Sequence, residues 1–182
     1  LTHTHLSCLL NAMIGNNLEY SDIKEVKVTC FAQAYDILFD PTKYRPESRE
    51  TADHSLPYCM AAAMVDKKIT TESFSDEKLN DPRIYEVIDK IKGEPSQEFE
   101  KMFPAKQPSR VVVTTNDGRT FEEYLEYPKG DPREPMTMDD LENKFNSLVG
   151  DKLDDSKKNQ IKDTIFDCEE LTAGEFMQSL NV

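Results

Sequence analysis

The segment Ser55-Leu56-Pro57-Tyr58-Cys59-Met60-Ala61-Ala62-Ala63-Met64-Val65 constrains this chain more than any other. It is apolar on nearly every face, and a helix of that kind must be buried. Ser55 is placed to cap it. Pro57 is tolerated in the first turn, where an N–H would be unpaired anyway. Any fold must therefore supply a surround for this helix from the remaining segments. The clearest of these is a hairpin: Val111 to Thr115 and Thr120 to Tyr127 are β-rich and flank Asn116-Asp117-Gly118-Arg119, a preferred turn chemistry.

The other segments extend the pattern. Leu6, Leu9, Leu10, Met13 and Ile14 follow helical spacing, ended by Gly15-Asn16-Asn17 with Gly15 available for a left-handed cap. From Ile23 the period becomes two, with Val26, Val28 and Cys30 on one face, a strand that extends toward Ala34. Asp40 to Glu50 reads as a loop and Thr71 to Leu79 as a short helix or two turns. Asp81-Pro82 starts a helix whose core face is Ile84, Val87, Ile88 and Ile91, ended by Gly93. Residues 94 to 108 read as a connector. Helices are expected from Thr137, from about Asp155 to Asp167, and from Thr172 to Leu180. The sum is an α+β fold with a small, largely antiparallel sheet and several helices.

Composition narrows the classes of function. The formal charge of −13 argues against non-specific binding to nucleic acid or an anionic membrane surface. No run approaches the ~18 apolar residues of a membrane span. Cys8, Cys30, Cys59 and Cys168 are widely spaced, which reads as reduced thiols in a cytoplasmic protein. The chain opens with Leu and turns helical at once. This reads as the C-terminal part of a longer chain, the alternative being a complete protein with leading residues trimmed.

Few residues carry chemistry. His5 opens the first helix, where a neutral base or hydrogen-bond donor is feasible; the plainer reading is a surface or capping histidine. Tyr58 suits a general acid or oxyanion donor better than a base; its plainer reading is a buried aromatic with a satisfied hydroxyl. Asp53 and His54 are adjacent, and such side chains point apart unless a turn joins them. Lys43, Arg45 and Arg49 form a basic cluster, either a solvated loop or a carboxylate site. His3, His5 and His54 lack the spacing of a metal site, so none is assigned.

Glu50-Thr51-Ala52-Asp53-His54-Ser55-Leu56-Pro57-Tyr58 before an Ala-rich helix resembles the motif of the MmgE/PrpD family. Thr4-His5 opening a helix agrees in order, as do Phe74 with Asp81-Pro82, Asp117-Gly118, Tyr127-Pro128-Lys129-Gly130-Asp131-Pro132 with Pro135, and Lys144-Phe145. That family includes 2-methylcitrate dehydratase and cis-aconitate decarboxylase. The resemblance implies a lid domain (1–148), then helices (149–182) that return to an all-helical N-terminal domain absent from this chain. It implies a cofactor-free, homodimeric, cytoplasmic lyase of propionate catabolism that dehydrates a 2-methylcitrate-like tricarboxylate. His5, Tyr58 and His54 would be catalytic, and Ser55, Arg45 and Arg49 would bind substrate. The alternatives are a decarboxylase or epimerase/isomerase of the same family, or a non-catalytic small-acid-binding or dimerisation domain.

Overall fold

The computed structural model describes residues 1–181. These divide into two compact units, Leu1–Pro135 and Met136–Val182, the last residue of the second lying outside the described residues. The first unit contains, in order, α1 (His3–Gly15), β1 (Ile23–Cys30), α2 (Ala32–Leu38), α3 (Arg49–Asp53), α4 (Leu56–Asp66), α5 (Asp76–Leu79), α6 (Pro82–Ile88), β2 (Ile91–Pro95), α7 (Gln97–Met102), β3 (Ser109–Thr115) and β4 (Thr120–Leu125). The second contains α8 (Met138–Val149), α9 (Asp155–Phe166) and α10 (Ala173–Ser179). The class is α+β.

The sheet order is β2-β1-β3-β4. β1 pairs antiparallel with β3, placing Val26 opposite Val113 and Val28 opposite Val111. The β3–β4 hairpin is also antiparallel, closed through Asn116-Asp117-Gly118-Arg119 with Gly118 at φ 88°. β1 and β2, however, run parallel, so the sheet is mixed. The period of two shows in the burial: Ser109, Val111, Val113 and Thr115 of β3 face inward with Val26 and Val28 of β1. α1 packs on β3 and β4, and α4 packs on α1, α6 and β2.

α4 is the centre of the core. Leu56 through Met64 are nine consecutive buried residues, and Ala61, Ala62 and Ala63 let neighbouring elements approach closely. At ~25 cal/mol per Å2 of apolar surface, such burial is the main favourable contribution to this fold. The helix ends at Lys67, which adopts a left-handed conformation at φ 57°.

Several local expectations are overturned. β1 stops at Cys30, and the next residues form α2 rather than more strand. Ala34 and Leu38 are its buried pair at i and i+4, and Glu100 of α7 caps it by accepting a hydrogen bond from the Ala32 N–H at 2.8 Å. Ser48 caps α3 inside what reads as loop. Gly93 does not end a helix: Ile91–Pro95 is an edge strand held by β1 and by a Lys27–Glu94 ion pair at 2.8 Å. Proline is tolerated at such an edge. The connector carries α7, capped by Ser96. Asn17, at φ 52°, takes the left-handed position after α1 in place of Gly15.

In the second unit, α8 begins with a reciprocal Thr137–Asp140 capping box. Met138, Leu141 and Phe145 of α8 and Ile165 and Phe166 of α9 line an apolar groove of about 260 Å3.

Candidate functional site

His5 lies in the first turn of α1 and is 1% exposed. The helix turns it toward β3, where its Nδ1 is 2.5 Å from the Ser109 hydroxyl oxygen. Its Nε2 is buried and has no hydrogen-bond partner. Burial lowers the pKa to about 3, so the ring is neutral near pH 7. One turn along, the Cys8 thiol donates to the Ser109 carbonyl at 3.6 Å. Burial pushes this thiol up to about 12, so it carries no thiolate at neutrality. The cluster is an uncharged set of polar groups inside an apolar core.

The second group sits where α3 meets α4. The Ser55 hydroxyl accepts a hydrogen bond from the Tyr58 N–H at 3.0 Å and donates to the Lys43 carbonyl at 2.5 Å. It therefore caps α4 and ties the basic loop to it in one contact. Tyr58 is fully buried, and its hydroxyl donates to the Ser73 carbonyl at 2.9 Å. Its ring packs against Phe74 at 6.1 Å. Desolvation raises the phenol above its ordinary range, which keeps it protonated and suits it to donating rather than accepting a proton.

His54 terminates α3 and is 72% exposed. Its Nδ1 meets both the Asp53 carboxylate and the Glu50 carbonyl, the latter at 2.9 Å. The turn between the two helices brings the adjacent side chains together. The Glu50 carbonyl first, and then the Asp53 carboxylate, raise the imidazole pKa.

The two arginines differ. Arg45 is held by a two-pronged pair with Asp89 at 2.6 and 3.1 Å and also donates to its own Tyr44 carbonyl. Arg49 is exposed, and its guanidinium has no hydrogen-bond or ion-pair partner among the described residues. The structure thus brings Ser55 against the Tyr58 backbone and His54 against Asp53. It forms no hydrogen bond between the His5 and Tyr58 side chains.

Ser109 is the polar residue that sequence reasoning missed. The signal was present: a period of two running back from Val113 and Val111 puts Ser109 on the buried face. Among the described residues, no three His, Cys, Asp or Glu side chains are grouped to hold a metal ion. Nor is any helix among them long and apolar enough to cross a membrane.

The family model for the MmgE/PrpD C-terminal domain matches residues 1–169. A cis-aconitate decarboxylase of Aspergillus terreus is 29% identical over 130 residues, 70% of this chain and 26% of that protein. The Mus musculus cis-aconitate decarboxylase is 33% identical over 100 residues, 55% of this chain and 20% of its own length. A 2-methylcitrate dehydratase-like protein of Aspergillus oryzae is 29% identical over 120 residues, 62% of this chain and 24% of its own. The chain thus spans about a quarter of the length of the curated relatives it matches. Matched by the family model over nearly its whole length, this chain belongs to the MmgE/PrpD family, of which it carries the C-terminal domain.

Proposed function

We propose that this chain is the lid domain of a lyase acting on a tricarboxylate, and that the reaction is dehydration of a 2-methylcitrate-like substrate. A base removes the proton α to a carboxylate, the C–O bond on the neighbouring carbon breaks, and the hydroxyl leaves as water with a proton from an acid. The observation that supports this is His5: a buried, neutral imidazole whose Nε2 has no protein partner. Leaving such an atom unpaired costs about 1–3 kcal/mol, a cost that an incoming substrate oxygen would remove.

Tyr58 is the candidate acid on this domain. Its raised pKa keeps the proton available, but its hydroxyl must first leave the Ser73 carbonyl. Arg49 and a protonated His54 are the groups available to meet substrate carboxylates, whereas Arg45 is engaged by Asp89. Ser55 acts through the cap that sets the start of α4. The remaining groups, and the surface that α8 to α10 pack against, belong to an N-terminal helical domain. The whole protein works as a cytoplasmic homodimer.

A second reading is decarboxylation, favoured by the names of the relatives from Aspergillus terreus and Mus musculus. There the C–C bond to a carboxylate breaks, CO2 leaves and the resulting carbanion takes a proton. The test is turnover of 2-methylcitrate, citrate and cis-aconitate by the full-length protein, with CO2 release measured separately from double-bond formation. Water loss without CO2 supports dehydration, and CO2 from cis-aconitate supports the second reading. His5→Gln and Tyr58→Phe should each abolish most of the rate. Full activity in both overturns the assignment of these residues.

A further inference from the structure

The Asp53–His54 pair sits one residue before the cap of the helix that carries Tyr58, and its polarity is fixed by its partners. His54 Nδ1 lies 2.9 Å from the Glu50 carbonyl oxygen and also meets the Asp53 carboxylate. A carbonyl oxygen can only accept a hydrogen bond, and the same holds for an ionised carboxylate. Nδ1 therefore carries a hydrogen whether the ring is neutral or charged. The other nitrogen, Nε2, has no hydrogen-bond partner among the described residues. It is a lone-pair acceptor on the neutral ring and an N–H donor on the charged one. The backbone beside it is anchored: Ser55, the next residue, is fully buried and accepts a hydrogen bond from the Tyr58 N–H at 3.0 Å.

We infer that Asp53 is a positioning residue: with the Glu50 carbonyl it pins His54 by its Nδ1–H, leaving Nε2 free to donate to a carboxylate oxygen of the substrate. This rests on the lyase reading above. Stability gives little reason for the pair, since His54 is 72% and Asp53 43% exposed and ion pairs at such exposure contribute little. What the contact does fix is the direction and the charge of the ring. The Glu50 carbonyl and then the Asp53 carboxylate favour the imidazolium, and the Lys43 ammonium opposes it. A carboxylate at Nε2 accepts a charge-assisted hydrogen bond and relieves the repulsion from Lys43. Affinity for a carboxylate substrate then falls as pH rises through the His54 pKa, because Nε2 loses its proton.

The test has two arms. In the first, the full-length protein with 15N-labelled histidine is titrated and followed by long-range 1H–15N correlation, with His54→Gln assigning the ring. Above its pKa, His54 should show the Nδ1–H tautomer, whereas a freely solvated imidazole favours Nε2–H. An Nε2–H pattern overturns the inference. Saturating citrate, the tricarboxylate probe, should raise the His54 pKa, because a carboxylate bound at Nε2 favours the charged ring. An unmoved pKa overturns the inference. In the second arm, the wild-type KM in the turnover assay should rise with pH through the His54 pKa. Asp53→Asn should move that rise to lower pH and increase KM about two- to fivefold near pH 7.5, with a smaller effect on kcat. A wild-type KM profile in Asp53→Asn removes the positioning role. A citrate-linked pKa shift without any turnover leaves this inference standing and removes the lyase reading. Turnover with a KM and a His54 pKa indifferent to each other does the reverse.

Discussion

Replacing Gly93 with alanine tests the register of the parallel β1–β2 pair. A Cβ at Gly93 would lie 2.6 Å from both Cγ and Cδ2 of Phe39 and 2.8 Å from its Cδ1. Carbon–carbon contacts normally sit near 3.5–4.0 Å, so the ring must retreat by about 1 Å. The contacts fall at the root of the ring, where a rotamer change gives least relief. Phe39 is 6% exposed and stacked on Tyr35 at 5.8 Å, so there is little room to move. Overpacking of this kind costs about 1–3 kcal/mol. The reduced freedom of the unfolded chain returns about 0.4–1 kcal/mol, and no unusual backbone angle opposes alanine. The expected net destabilisation is about 1 kcal/mol, read by urea denaturation followed by circular dichroism. Phe39→Ala alone should cost about 3–5 kcal/mol. In that background, Gly93→Ala should cost nothing or stabilise, because the clash is gone. A Gly93→Ala protein within about 0.5 kcal/mol of wild type would refute the packing argument. So would an equal cost in both backgrounds, which would place the effect in the strand rather than on the ring.

Two further predictions concern the α3–α4 junction. Ser55→Ala removes the acceptor for the Tyr58 N–H and the donor to the Lys43 carbonyl at a fully buried position; it should destabilise the chain by about 1–3 kcal/mol, and Ser55→Thr should recover part of that in the same denaturation assay. Asp53→Asn should lower the His54 pKa, measured by NMR titration of the imidazole protons, while the Glu50 carbonyl keeps part of the upward shift. Because the folded pKa of His54 lies above its unfolded value, the stability it contributes is complete below the unfolded value near 6.5 and is lost as pH rises through the folded pKa. Asp53→Asn should shrink that loss, and an unchanged titration curve would show that the carboxylate contact is not formed in solution.

Much of the fold was legible because several segments carry their own instructions. α4 is apolar on all sides, with its cap and proline in place, so burial follows from composition alone. The Asn116–Arg119 turn closes a hairpin wherever it occurs between β-rich runs. The α8 and α10 starts are written as Thr–Asp and Thr–Glu capping boxes. The site was legible in a narrower sense. The motif around Ser55 and the period of β3 place Ser55, Tyr58 and Ser109 on buried positions, but neither says what their hydroxyls meet.

Tertiary structure decided the rest. β2 has almost no strand signature of its own, since Ile91 is its single branched residue and Lys92-Gly93-Glu94-Pro95 adds none; it is a strand because β1 offers an unpaired edge. α2 follows an alternating pattern that could continue as strand, and a carboxylate 68 residues away caps it instead. The partner of His5 is 104 residues away, and that separation determines which nitrogen is held and which is left open. Caps, turns and all-round apolarity act within a few residues, so a sequence carries them by itself. Edge pairing, long-range capping and the partner of a buried ring depend on groups that only folding brings within hydrogen-bond distance.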